Sequence, residues 1–112
     1  MRRGTTPQHK ITTDIDLSSA TVYVTYAQAK QVVFEKTNDA IAFATTVNEN
    51  ETYDHALVIT LTQADTLALN ADFDVEIQIR AAFADGSTIA SPIMYAKVYD
   101  ILKDGEIEYL GE

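Results

Sequence analysis

Between Phe73 and Phe83 the chain alternates with strict period two. Phe73, Val75, Ile77, Ile79, Ala81 and Phe83 fall on one side, and Asp74, Glu76, Gln78, Arg80 and Ala82 on the other. Only an extended strand sends successive side chains to opposite faces, so the run predicts a strand with one face in a core. Just upstream, His55 to Thr62 alternates Leu57, Ile59 and Leu61 against Val58, Thr60 and Thr62. Between the two strands, Thr62-Gln63-Ala64-Asp65 has capping-box spacing. The Thr62 hydroxyl can accept from the Asp65 amide, with the Asp65 carboxylate near the helix start. Asn70, Ala71 and Asp72 break the pattern beyond Leu69, which limits the helix to one turn. Strand, helical turn and longer strand form the unit around which the chain is organised.

The rest reads as short strands. Met1 to Gln8 is polar, contains Gly4 and Pro7, and is expected to be a flexible N-terminal arm. His9 to Asp16 alternates weakly around Ile11 and Ile15. Ala20 to Ala27 is a strong strand, joined by Gln28, Ala29 and Lys30 to Gln31 to Thr37, a spacing suited to a hairpin. Ile41 to Thr46 is a weaker strand, and residues 48–54 form the most acidic loop, expected to be a mobile tip. Asp85-Gly86 signals a tight turn into a returning strand, Thr88 to Leu102. Pro92 removes a ladder donor there and should mark a bulge, strand switch or edge. Residues 104–112 form an acidic tail, exposed or paired with a neighbour. About seven strands with one helical turn before the second-last argue for an all-β antiparallel sandwich spanning residues 9–103. One short helix cannot cover the faces of a parallel sheet.

At 112 residues the chain has the length of one domain, with an expected radius of gyration of roughly 13 Å. Its 46% apolar content is enough for a core. Seventeen acidic and eight basic residues leave a net charge of -9. Such a surface repels phosphate backbones and anionic bilayers, so neither nucleic acid nor membrane is an expected partner. Without cysteine the chain can form no disulfide, thiolate zinc site or thiol nucleophile. The basic start is followed by no apolar run, so no signal peptide is expected.

Chemistry-bearing constellations are sparse. His9 and His55 lie in polar contexts and are expected at the solvent-exposed surface. Asp14/Asp16 and Asp72/Asp74 have the spacing to share a strand face, as a calcium site or a glycosidase-like pair would require. Neither has a multi-ligand, glycine-punctuated loop around it. Asp39, Glu49, Glu51 and Asp54 read as solvated loop charges, and Asn50-Glu51-Thr52 as a sequon without a secretory context. No phosphate-binding loop, dinucleotide fingerprint, nucleophile elbow or zinc-protease motif occurs, and no cofactor is expected. Arg80 and Asp65 are expected to be structural charges, Asp65 at the helix start and Arg80 partnered within the sandwich, the alternative for Arg80 being a surface residue opposite an acidic strand. Tyr23, Tyr95, Tyr99 and Tyr109 are the candidates for an interaction surface, because exposed aromatics are enriched at protein contacts.

L-T-Q-A-D-T-L at Leu61 to Leu67, V-E-I-Q-I-R at Val75 to Arg80, Asp85-Gly86, R-R-G-T-T-P at Arg2 to Pro7 and V-T-Y-A-Q at Val24 to Gln28 together span nearly the whole chain. In this combination the chain resembles small virion- or tail-associated Ig-like β-sandwich proteins encoded by phages and prophages of Gram-positive gut bacteria. The arrangement is also similar to the N-terminal domain of phage baseplate upper proteins. The resemblance implies an Ig-like sandwich and a non-enzymatic structural module of the virion, tail- or baseplate-associated. Its partners would be other virion proteins or further copies of itself. It carries over no catalytic residues. Because the sequence stops at Glu112 with no distal fibre or receptor-binding region, the expectation is a small component that docks on a larger assembly. The alternative is an Ig-like attachment module binding carbohydrate or peptide, which requires an aromatic-lined groove. An enzyme would require a converging nucleophile, base and orienting group.

Overall fold

The computed structural model describes residues 1–111 as two antiparallel sheets packed face to face. One sheet has the order β1 (Gln8–Thr13), β5 (Tyr53–Thr60), β4 (Ile41–Val47). The other runs β3 (Gln31–Thr37), β2 (Thr21–Gln28), β6 (Val75–Ala82). On the far edge of β6 lie two short strands, β7 (Thr88–Ala90) and β8 (Met94–Ala96). One helix, α1 (Gln63–Leu67), joins β5 to β6 across the two sheets. Taking β1 to β6 as strands B, C, C′, D, E and F, with β7 and β8 as the halves of G, the order is that of an Ig-like sandwich.

Period two decides which side chains enter the core. On the second sheet Val22, Val24, Tyr26 and Gln28 of β2 and Val75, Ile77, Ile79 and Ala81 of β6 point inward and are all buried. Leu57 and Ile59 of β5 and Ile41 of β4 meet them from the other sheet, with Leu17, Leu61, Leu69 and Val98 closing the ends. Each fully buried Val, Leu or Ile contributes about 1.5–3 kcal/mol relative to exposure. Phe73, expected inward at the head of β6, precedes the strand and is 49% exposed. The reason is Gln28, whose amide faces the core at the end of β2. Its Nε2 donates to the Asn70 and Phe73 carbonyls at 2.7 and 3.0 Å, and its Oε1 accepts from the Asn70 amide at 2.8 Å. The corner from Asn70 to Phe73 is thereby held out of the strand ladder.

Three local devices finish the sheets. The β2–β3 hairpin turns on Ala29 and Lys30, both at positive φ (51° and 64°), the left-handed pair that a two-residue type I′ turn demands. Asn38 pairs with the backbone of β2, its Oδ1 accepting from Val22 N at 2.7 Å and its Nδ2 donating to Ala20 O at 2.8 Å. The expected irregularity at Pro92 is a one-residue bulge. Arg80 faces Ala90 but Ile77 faces Met94, so three residues on the returning chain oppose two on β6. Ser91 satisfies the backbone there, its N–H donating to Ile79 O and its hydroxyl accepting from Ile79 N. The single returning strand expected from the sequence is therefore two, and it ends at Ala96 rather than Leu102.

The segment expected to be a flexible arm is held against the sandwich. Arg2 forms a parallel bridge with Tyr99; Arg3 N donates to Tyr99 O at 2.9 Å and Tyr99 N to Met1 O at 2.8 Å. The Arg3 guanidinium reaches Asp100 Oδ1 at 2.7 Å and the Leu67 carbonyl at 3.0 Å, near the end of α1. Gly4, at φ 73°, lies so close to Ile101 that an added Cβ would stand 2.9 Å from its Cδ1. Residues 97–101 and 1–4 thus replace the expected end of the returning strand. The Cα radius of gyration is 15.9 Å, above the compact expectation, with extents of 46 × 39 × 24 Å.

Candidate functional site

A polar cluster lies between the sheets where β1 begins. His9 stacks on Tyr26 with ring centroids 5.8 Å apart, and its Nδ1 is 2.8 Å from the Tyr26 hydroxyl. Tyr26 stacks in turn on Phe34 at 4.5 Å. Burial pushes the Tyr26 phenol well above its ordinary range, and the negative charge of Asp65 adds to the effect. Burial, with the nearby N-terminal ammonium, lowers His9 below 6.5. The His9 ring and the Tyr26 hydroxyl share this one hydrogen bond, and burial disfavours the charged imidazole. His9 therefore belongs to the inner face of β1 rather than the solvent-exposed surface expected for it. At its periphery Lys36 Nζ stands 2.6 Å from Asp65 Oδ2, the side chains only 17% and 15% exposed.

Asp65 closes the capping box of α1: Thr62 N donates to its carboxylate at 2.8 Å, and its own N donates to Thr62 Oγ1 at 3.1 Å. Burial pushes the carboxyl upward, but the bonds from Lys36 and Thr62 outweigh it, and it titrates below 3.8. Because Asp65 is committed to Lys36 and Thr62, it does not orient His9. The cluster is a staple rather than a proton relay: Lys36 sits on β3 and Asp65 on the helix that continues β5, so the pair joins the two sheets.

Arg80 departs from its expected role. It lies on the outer face of β6, exposed, opposite Tyr23 of β2 and Ala90 of β7, and forms no ion pair among the described residues. Inward positions of β6 carry only Val75, Ile77, Ile79 and Ala81, so the strand's period places Arg80 outside.

The four tyrosines do not converge. Tyr23 and Tyr95 share the outer face of the second sheet, but their partners on β6, Arg80 and Glu76, are four residues apart, roughly 13 Å along the strand. Tyr99 lies beneath the Arg2 guanidinium, 5.5 Å from its ring centroid, and Tyr109 is in the tail, 92% exposed. Asp16 is engaged by the Ser18 amide at 2.9 Å, which lowers its carboxyl below 3.8; Asp72 and Asp74 are exposed. Among the described residues no three His, Asp or Glu side chains gather as a metal site would require. The acidic loop is organised by Asn48, whose side chain bonds the backbone of Asn50 and Thr52 and the side chains of Thr52 and Asp54.

One apolar concavity was not anticipated in the sequence. It is an apolar groove of about 530 Å³ between the edge of β1 and the β7–β8 edge, lined chiefly by Ile11, Ile15, Leu17, Ile89, Pro92 and Met94. The N-terminal segment pairs with Tyr99 and contributes no residue to this groove.

Fold and surface define the class: an all-β, Ig-like antiparallel sandwich with uncovered strand edges and an exposed C-terminal segment. Comparison with protein-family models, curated proteins and solved structures gave no match.

Proposed function

We propose that the protein is a non-enzymatic structural module of a phage or prophage virion, associated with the tail or baseplate, which works by docking on other virion proteins or on copies of itself. The observation that carries this reading is the exposed C-terminal stretch. Leu102, Tyr109 and Leu110 are 107%, 92% and 88% exposed, more than any other large apolar residue among those described, and Ile107 between them is 59% exposed. Exposed apolar side chains gathered on one segment mark a contact surface. The sequence resemblance supports the virion as its location, and the scattering of the tyrosines favours protein contacts over an aromatic sugar-binding groove. Chemistry is disfavoured by the pairing of His9, whose partner is a phenol held neutral.

The test is mass spectrometry of purified particles from an induced lysogen carrying the gene. The expected result is the protein in fixed stoichiometry with tail proteins, and particles lacking tails or infectivity when the gene is deleted. Its absence from particles, with normal tails in the deletion, would overturn the reading.

A further inference from the structure

Two features of the molecule are incomplete in complementary ways. The first is the outer edge of β1. Its other edge is fully paired to β5, from Gln8↔Thr60 to Thr13↔His55, but the outer edge pairs with no strand of the described chain. Beneath it lies the 530 Å³ groove, within the ~300–1,000 Å³ typical of ligand sites, with Ile15 and Ile89 at its rim 46% and 43% exposed. In an Ig sandwich this is where a strand would lie beside the one equivalent to β1.

The second is the segment from Glu106 to Leu110. It places Ile107 and Tyr109 on one side and Glu106 and Glu108 on the other, the pattern of a half-buried strand, yet it belongs to no strand. Among the described residues its only hydrogen bonds are to one side chain: Gln63 Nε2 donates to Ile107 O at 2.7 Å, and Ile107 N donates to Gln63 Oε1 at 2.8 Å.

We propose that residues 106–110 of one copy pair with the outer edge of β1 in a second copy, placing Ile107 and Tyr109 in the groove. The partner is a second copy because the tail cannot reach its own groove from where it is held. Gln63 follows β5 at the end where β1 begins, since Thr60 faces Gln8. The groove lies at the other end of β1, from Ile11 to Leu17. Gln8 to Thr13 spans about 17 Å, whereas Tyr109 lies two residues, at most about 7 Å, beyond Ile107. Charge agrees along the strand: Lys10 points outward from β1, on the face where Glu106 and Glu108 of an added strand would emerge. Asp14, at the far end of the groove, opposes the acidic tail, and with a net charge of -9 on each copy this repulsion outweighs the one Lys10 contact, so association should tighten as salt rises. This is strand addition at a sheet edge, with backbone bonds supplying affinity and alternate side chains supplying specificity. It deepens the assembly reading by naming one contact, and rests on that reading only in taking the exposed tail to be a contact surface.

The purified full chain, studied by sedimentation equilibrium from micromolar to millimolar concentration in 0.15 M salt, should associate with a concentration-dependent mass. The variant Ile107→Asp/Tyr109→Asp, altered only at exposed positions, should associate at least tenfold more weakly. A synthetic peptide of residues 104–112 should bind that variant and shift the backbone resonances of β1 and β7. Adding Ile89→Asp should weaken peptide binding at least tenfold. A chain that stays monomeric throughout, association untouched by the tail substitutions, or a peptide that shifts residues outside the β1 and β7 edges would each overturn the proposal. Particle incorporation is measured separately, so a monomer that still enters virions defeats this contact and leaves the assembly reading standing.

Discussion

Replacing either member of the Lys36–Asp65 pair should cost more than a surface ion pair could explain. Exposed pairs contribute about 0.2–1 kcal/mol, and breaking a buried one costs about 3–5 kcal/mol. With a 2.6 Å contact and side chains 17% and 15% exposed, this pair lies toward the buried limit. Asp65→Asn keeps an oxygen to accept from Thr62 N but leaves the mostly buried Lys36 ammonium without a counter-charge, with only the weaker attraction of the Phe34 ring face 5.7 Å away. Lys36→Met keeps the stem and strands Asp65. Each single change is expected to cost about 2 kcal/mol. The double variant should cost about the same, because neither charge remains to be left alone, which makes the coupling about 1.5–2 kcal/mol.

Urea unfolding followed by far-ultraviolet circular dichroism provides the measurement. With a slope of about 1–3 kcal/mol per M, a loss of about 2 kcal/mol moves the midpoint by about 1 M. In 1 M salt the Debye length is about 3 Å, and a pair shielded from solvent should retain most of its coupling. Coupling below about 0.5 kcal/mol, or coupling that disappears in 1 M salt, would refute the reasoning, because the two sheets would then not be joined through this pair.

Ala29→Asn/Lys30→Gly should stabilise the chain by about 1 kcal/mol in the same assay, because both residues occupy the left-handed region that Asn and Gly adopt at less cost. Gln28→Leu should destabilise it by about 2–3 kcal/mol, since Asn70 and Phe73 lose three hydrogen bonds to a buried amide, with amide exchange accelerating first at residues 70–73. His9 titrates below 6.5 in the fold, so the unfolded chain binds the proton more readily. Stability from this group is complete above pH 6.5 and is lost as pH falls through the folded value. Thermal unfolding midpoints should fall between pH 7 and pH 5, and His9→Gln should flatten that slope.

Period two made the core legible: the inward sets of β2 and β6 can be read from Val22, Val24, Tyr26 and Val75, Ile77, Ile79 without coordinates. Capping-box spacing and the missing donor of Pro92 are equally local, and each appears where the chain's own chemistry puts it. Features requiring two distant segments were not legible. Gln28 reads as a turn residue until the Asn70 corner is folded over it, and Arg3 reads as part of a loose arm until Leu67 and Asp100 converge on its guanidinium. Arg80 fails for a different reason. It shares a face with Glu76 and Gln78, so alternation already puts it outside, and the expectation of a partner set that alternation aside. The groove was least visible of all, because it is bounded by two edges almost eighty residues apart in sequence and exists only through the register of both sheets. Local pattern thus specifies which faces are buried, while pairing between distant strands determines which edges stay uncovered. Those uncovered edges and the tail are where contacts with other chains should be sought.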